Sequence, residues 1–336
     1  MINDYCWITI GANGFNKENL EKLVSYNPKG IRINTGRSSF EWIKNAIKVL
    51  IDSGYNENRI YLDIGNNKPR ITLKNAKLKI KKNEKFSLGS SLNDDILIKG
   101  NIINRPFFSA ITKDDVLVLG DGEIECVVFE KDEHRIVLYS TSDGCITNHI
   151  AIGLKGKHYK NYYLSPEDIT LTNSLLEEYS LGLIISFVER KENIIECKKI
   201  FPKAYRIMPK IESDTAYNNL DEIMQYSEWA VFGRGDFALS MGIEKIGYYQ
   251  NKLLHSAQKH NCKVIVASGM LESVERNKKP LCSEVIDISN SYFNGATGIM
   301  LTNESGASAT PFIVIDTLYD IVDSLDSIND SSVNKA

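Results

Sequence analysis

The residues able to do chemistry stand at the ends of short apolar runs. Lys210 and Glu212 are two apart in Met208-Pro209-Lys210-Ile211-Glu212, and Asp236 closes Gly233-Arg234-Gly235-Asp236. Two carboxylates from neighbouring strands, Glu212 and Asp236, suit Mg2+ (or Mn2+), a hard ion that takes oxygen ligands and keeps positions for substrate oxygens. Arg32, in Ile31-Arg32-Ile33-Asn34, and Lys210 are cations suited to an anionic substrate or a phosphoryl group in transfer. Along a strand, Arg32 and Asn34 point the same way, as do Lys210 and Glu212. Asp63 in Leu62-Asp63-Ile64, Ser268 in Ala267-Ser268-Gly269 and Glu304 in Leu301-Thr302-Asn303-Glu304-Ser305 end other runs. A buried charge is costly unless it is paired or binds something. The set therefore points to phosphoryl or enolate chemistry. The plainer alternative is an ion-pair network of Lys210, Glu212 and Asp236 that only holds the strand ends together.

Eight β-rich runs must position these groups: Tyr5 to Ile10, Gly30 to Asn34, Ile60 to Ile64, Leu181 to Val188, Tyr205 to Ile211, Trp229 to Asp236, Lys263 to Met270 and Gly298 to Glu304. Helical periodicity lies between most of them, as in Ile43, Ala46, Ile47, Leu50 and Ile51 ahead of Gly54. Ser165-Pro166 and Thr310-Pro311 each place a capping hydroxyl before a proline suited to a first helical turn. Strands alternating with helices eight times predict a (β/α)8 TIM barrel, whose sites sit at the carboxyl ends of the strands. After the third strand the chain runs about 100 residues to Ser165, far beyond a loop. Short strands over Glu84 to Leu88, Asp95 to Lys99, Val116 to Leu119, Ile124 to Glu130 and Arg135 to Thr141 predict a small inserted β-barrel domain, placed to act as a lid. The expected boundaries are 1–70 and 151–328 for the catalytic barrel, 71–150 for the lid and 329–336 for a disordered tail.

Composition narrows the partners. Forty basic and 43 acidic residues leave a net charge of −3 with no polycationic face, which argues against nucleic acid. The longest strongly apolar stretch, Leu181 to Val188, is too short for a bilayer, and the N-terminus lacks a secretory pattern, so a cytoplasmic protein without a membrane partner is expected. Six dispersed cysteines form no zinc spacing and read as small reduced core residues, and five scattered histidines read as surface or packing residues. No G-x-x-x-x-G-K-[ST], G-x-G-x-x-G after a strand, H-E-x-x-H or G-x-S-x-G is present.

From about Trp7 to Tyr319 the sequence resembles the pyruvate kinase family. The resemblance rests on Met208-Pro209-Lys210-Ile211-Glu212, Phe232-Gly233-Arg234-Gly235-Asp236 and Ala267-Ser268-Gly269-Met270-Leu271-Glu272-Ser273. Thr9-Ile10-Gly11, Ile31-Arg32-Ile33-Asn34, Leu62-Asp63, Gly120-Asp121-Gly122 and Met300 to Ser305 support it. It implies transfer of the phosphoryl group of phosphoenolpyruvate to ADP, giving pyruvate and ATP. By that analogy Glu212 and Asp236 hold the divalent ion, Lys210 stabilises the phosphoryl group in flight and Arg32 binds the phosphate. Ser268 lies near the carboxylate and the carbon to be protonated, and the amides of Gly235 and Asp236 receive the carboxylate. Arg70 reaches the nucleotide phosphates, and Asn34 and Asp63 complete the substrate- and nucleotide-binding set.

Departures from the family pattern sharpen the expectations. After Asp63 the family's threonine, lysine, glycine, proline, glutamate run is replaced by Ile64-Gly65-Asn66-Asn67-Lys68, and Gly36 stands where a serine helps bind potassium. The Lys68 ammonium can stand in for that monovalent cation, so K+ is expected to be dispensable. His149, Ile150 and Gly153-Leu154-Lys155-Gly156 replace family residues near the lid's return, Glu189 separates Val188 from Arg190, and Gly269 replaces a glutamine, which loosens the expected grip on nucleotide. The family's C-terminal regulatory domain has no counterpart in these residues, so hyperbolic kinetics insensitive to fructose bisphosphate are expected. The alternatives are an oxaloacetate-type decarboxylase or specialised phosphotransferase using the same magnesium and enolate core, and a non-catalytic paralogue. Nucleotide preference is open, as is a homodimer through the barrel.

Overall fold

The computed structural model describes residues 5–65, 71–73, 77–89, 95–98, 106–119, 124–147, 150, 152–155 and 164–333. The first strands are β1 (Cys6–Ile10), β2 (Gly30–Asn34) and β3 (Ile60–Ile64). The insertion contributes β4 (Ile71–Leu73), β5 (Lys77–Ile80), β6 (Lys85–Gly89), β7 (Ile96–Ile98), β8 (Val116–Leu119), β9 (Ile124–Lys131), β10 (Arg135–Ser140), β11 (Gly144–Thr147) and β12 (Ile152–Leu154). The chain then returns through β13 (Gly182–Ile185), β14 (Arg206–Ile211), β15 (Trp229–Gly233), β16 (Lys263–Ala267) and β17 (Gly298–Leu301).

Strands β1, β2, β3, β13, β14, β15, β16 and β17 pair in parallel and close on themselves, which is the predicted (β/α)8 barrel. Closure needs an interior that side chains can fill. Trp7, Tyr61 and Trp229 supply much of it, with Trp7 tilted against Tyr61 at 5.0 Å and against Trp229 at 5.7 Å between ring centroids. Gly30 is required beside them, because a Cβ there would lie 2.2 Å from the Trp7 ring.

Several barrel strands end earlier than their apolar runs suggested. β15 stops at Gly233, where the helix Arg234–Met241 begins, and β16 stops at Ala267. β13 ends at Ile185 and β17 at Leu301. After β13 and β16 the physical reason is backbone geometry: Phe187 and Ser268 have positive φ, at 53° and 77°, which no strand ladder accommodates. Asp236, Ser268 and Glu304 therefore lie on the connections after their strands, where barrel enzymes carry their chemistry.

The helices follow the predicted spacing. In Phe40–Asp52, residues Ile43, Ala46, Ile47 and Leu50 are buried, and the Ser39 side chain accepts the Trp42 amide to cap the first turn. Ser165 and Asp168 form a reciprocal capping box on Pro166–Glu178, the Ser165 hydroxyl accepting the Asp168 amide at 3.0 Å. Ser165→Ala is expected to cost about 1 kcal/mol, measured as a lower urea midpoint at unchanged slope. The last helix runs from Pro311 to Val333, so the expected tail over 329–336 is helical through Val333. Its buried Val314, Leu318, Val322 and Leu325 carry the helix past the acidic Asp326. Ser324 and Ser327 also satisfy their hydroxyls on carbonyls four residues back.

The chain divides into two compact units: Met1–Asn66, Leu164–Arg234 and Gly247–Ala336 in one, Asn67–Tyr163 and Gly235–Ile246 in the other. The second draws in Gly235–Ile246, which the expected boundaries did not assign to the insertion. Its strands form a seven-stranded sheet, β12-β8-β9-β10-β6-β7-β4, and a β11-β5 pair, so the predicted β-barrel is an open sheet among the described residues. Phe86, Leu117, Val128 and Leu138 are buried in its core. All six cysteines are free; Cys6, Cys126, Cys197 and Cys262 are buried, whereas Cys145 and Cys282 are exposed rather than packed inside. Among the described residues no helix is long and apolar enough to cross a membrane.

Candidate active site

Strand register brings four charged residues together. Asn34 of β2 pairs with Asp63 of β3, and Asp63 pairs with Ile184 of β13, which faces Met208 of β14 on its other side. Two residues further along β14, Lys210 points back to the same place. Asp63 is wholly buried and is the hub. Arg32 donates from Nε to Oδ2 of Asp63 at 2.7 Å and reaches the same oxygen through Nη2 at 2.6 Å, while Nη1 donates to Oγ1 of Thr9. Lys210 Nζ donates to both Asp63 oxygens, at 3.1 and 2.8 Å, and the Ser186 hydroxyl donates to Oδ1 at 3.0 Å. Burial by itself would push the Asp63 carboxyl up, but the Lys210 ammonium and then the Arg32 guanidinium outweigh it and hold the group below the ordinary aspartate value.

Glu212 extends the network. Its Oε1 lies 3.4 Å from Lys210 Nζ, and its Oε2 accepts the Phe187 amide at 3.0 Å. Phe187 reaches that position only at φ 53°, a conformation that costs a bulky residue about 1–3 kcal/mol. Space for the carboxylate comes from Gly233, where a Cβ would stand 2.7 Å from Glu212 Cγ. The expected pairing of Lys210 with Glu212 on one side of β14 is thus present, and both side chains are buried.

The other expected residues have different settings. Asp63, expected among the substrate- and nucleotide-binding groups, has both oxygens hydrogen-bonded to Arg32, Lys210 and Ser186 and is the counter-ion of the two cations. Asn34 is buried, and its side chain accepts the Gly36 amide at 3.1 Å at the start of the 3-10 turn Thr35–Arg37. Ser268 is half-buried just past β16, and Gly235 and Asp236 sit in the first turn of Arg234–Met241. Lys68 and Arg70 lie outside the described residues.

Three contributors were not singled out from sequence as site residues: Ser186, the Phe187 amide and Thr9. Ser186 follows an apolar strand, and a serine there gives no distinctive signal. A left-handed phenylalanine has none at all, since propensity points the other way.

The Glu212 carboxylate, buried in the network, is an oxygen donor of the kind a magnesium-type ion prefers. Among the described residues no three His, Cys, Asp or Glu side chains gather into a closed metal site.

Fold and charges together define a (β/α)8 barrel whose carboxyl end holds an arginine and a lysine on one buried aspartate, with a glutamate beside the lysine. The chain belongs to the pyruvate kinase family: the family model for the pyruvate kinase barrel domain matches residues 6–315. It is 27% identical over 328 residues to pyruvate kinase of Thermotoga maritima, covering 92% of this chain and 68% of that protein. With pyruvate kinase of Pyrobaculum aerophilum it shares 25% identity over 303 residues, covering 87% of this chain and 65% of that one. The crystal structure of pyruvate kinase from Pyrobaculum aerophilum superposes with a TM-score of 0.77 at 22% identity, covering 95% of this chain and 72% of the other, a likeness of fold. The chain spans about two thirds of the length of these curated relatives.

Proposed function

We propose that this chain transfers the phosphoryl group between phosphoenolpyruvate and ADP, forming pyruvate and ATP. The observation that carries the proposal is the buried Arg32–Asp63–Lys210–Glu212 network, which holds two cations in fixed positions before any substrate arrives. Preorganised charge of this kind stabilises a phosphoryl group in flight without reorganisation at the moment of transfer. Arg32 binds the substrate phosphate and Lys210 the transferring group. Glu212, with Asp236 as the second carboxylate, would hold Mg2+ or Mn2+, which neutralises charge on the oxygens that exchange the phosphoryl group. Ser268 orients the end of the substrate that becomes the methyl group of pyruvate. The amides of Gly235 and Asp236 receive the carboxylate, Asn34 contacts the substrate, and Arg70 contacts the nucleotide.

The test is pyruvate formation from phosphoenolpyruvate, ADP and Mg2+, followed by coupled reduction of pyruvate. ADP-dependent turnover is expected, and oxaloacetate consumption without nucleotide would replace this reading by a decarboxylase. Running the assay in potassium-free buffer tests the Lys68 proposal. Turnover there should equal that with K+ added to within about 2-fold, since a covalently tethered ammonium needs no counterpart from solution; a requirement for added K+ would overturn it.

A further inference from the structure

The turn that carries Ser268 is left-handed at two successive residues, Ser268 with φ 77° and Gly269 with φ 69°, and again at Leu271. Serine in this region is disfavoured, so the surrounding structure has to impose it. The imposition is visible. Arg234, buried at the start of its helix, donates from Nε and Nη2 to the Ser268 carbonyl at 2.8 and 2.6 Å and from Nη2 to the Gly269 carbonyl at 3.2 Å. Its remaining nitrogen, Nη1, donates to both carboxylate oxygens of Asp287, at 2.9 and 2.7 Å, and to Gln250 Oε1 at 3.4 Å. Buried Glu304 in turn accepts the Met270 amide on Oε1 at 2.9 Å and the Thr302 amide and hydroxyl on Oε2.

Two consecutive carbonyls and the next amide are thus gripped by side chains from two other strand connections. We propose that Arg234, assisted by Glu304, is a positioning residue: its planar fork holds the Ser268 turn in its left-handed form and so sets where the Ser268 hydroxyl meets the substrate. The inference rests on the phosphotransferase reading above and adds a residue to it. A lysine would keep the charge beside Asp287 but could not bridge both carbonyls, because only guanidinium presents several donors in a rigid plane.

The experiment is a double-mutant cycle in the phosphoenolpyruvate and ADP assay with Arg234→Lys, Ser268→Ala and the double variant, with a thermal melt of each. Ser268→Ala is expected to lower kcat about 10- to 100-fold, and Arg234→Lys about 10-fold with KM for phosphoenolpyruvate unchanged. The double variant should fall to within about 2-fold of Ser268→Ala alone, the non-additivity of residues acting as one unit. An arginine that merely supports the fold would lower the melting temperature and multiply its loss onto that of Ser268→Ala, and that outcome overturns the proposal. So does an unchanged kcat in either single variant. If Arg234→Lys does not fold, Asp287→Asn loosens the same guanidinium from the far side and enters the cycle in its place. A parent protein without turnover would count against the proposed function and leave the clamp to be judged from that result as failed in its premise.

Discussion

Lys210→Met lowers kcat by about 10³-fold or more on the reading proposed here, the loss of a preorganised cation that meets charge developing on the transferring phosphoryl group. Methionine matches lysine in length and is content in apolar surroundings, so the barrel should remain folded. Asp63 keeps Arg32 and the Ser186 hydroxyl as partners after the change, whereas buried Glu212 loses its lysine and keeps the Phe187 amide. The expected stability loss is therefore about 3 kcal/mol, the lower end for breaking a buried ion pair, since Asp63 stays paired while Glu212 does not. Steady-state kinetics with phosphoenolpyruvate and ADP, alongside a urea titration, separate the two effects. Residual activity within 10-fold of the parent would remove Lys210 from the chemistry and return the network to a structural brace.

Asp63→Asn has the largest expected effect on stability. It leaves the Arg32 guanidinium and Lys210 ammonium buried next to each other with their shared counter-ion gone. Removing one member of a buried pair typically costs about 3–5 kcal/mol, because the charge left behind is uncompensated. Activity should collapse as well, since both cations lose the group that fixes them. The pH dependence gives a second readout. The folded Asp63 carboxyl is held below its ordinary value of 3.8 by Lys210 and Arg32 against the opposing pull of burial. Its stabilising contribution is then fully present above that ordinary value and is lost as pH falls through the lower folded value. Parent and variant stabilities should therefore be well separated at neutral pH and converge in acid. A variant that is destabilised by less than about 1 kcal/mol at neutral pH would show that the ion pairs contribute little net energy.

The network also explains why sequence reading could bring its members forward without showing how they pair. Lys210 and Glu212 were legible because a period of two along one strand puts both side chains on the same face. Arg32 was legible because an arginine inside an apolar strand demands a partner or a ligand. Asp63 met the same criterion and so read as another substrate contact. Only the pairing of β3 with β2 on one side and β13 on the other, with β14 next in the barrel, shows that its oxygens are already taken. Sequence spacing cannot distinguish a counter-ion from a ligand, since the difference lies in what arrives from other strands.

Alternation of apolar runs with helical periodicity determined the barrel, its long insertion and the end at which its polar residues gather, because those are properties of contiguous segments. Capping at Ser165 and the core face of Phe40–Asp52 were equally local. Tertiary structure alone decided where β13, β15 and β16 stop and that, among the described residues, seven of the insertion's strands form an open sheet. It also decided that Phe187 and Ser268 turn left-handed against their own preference. The reason is physical: the Phe187 amide gains a buried carboxylate acceptor, and the Ser268 carbonyl gains a guanidinium donor, and both partners come from distant parts of the chain. Such long-range contacts can outweigh a local conformational preference of a few kcal/mol, and nothing in the neighbouring residues announces them.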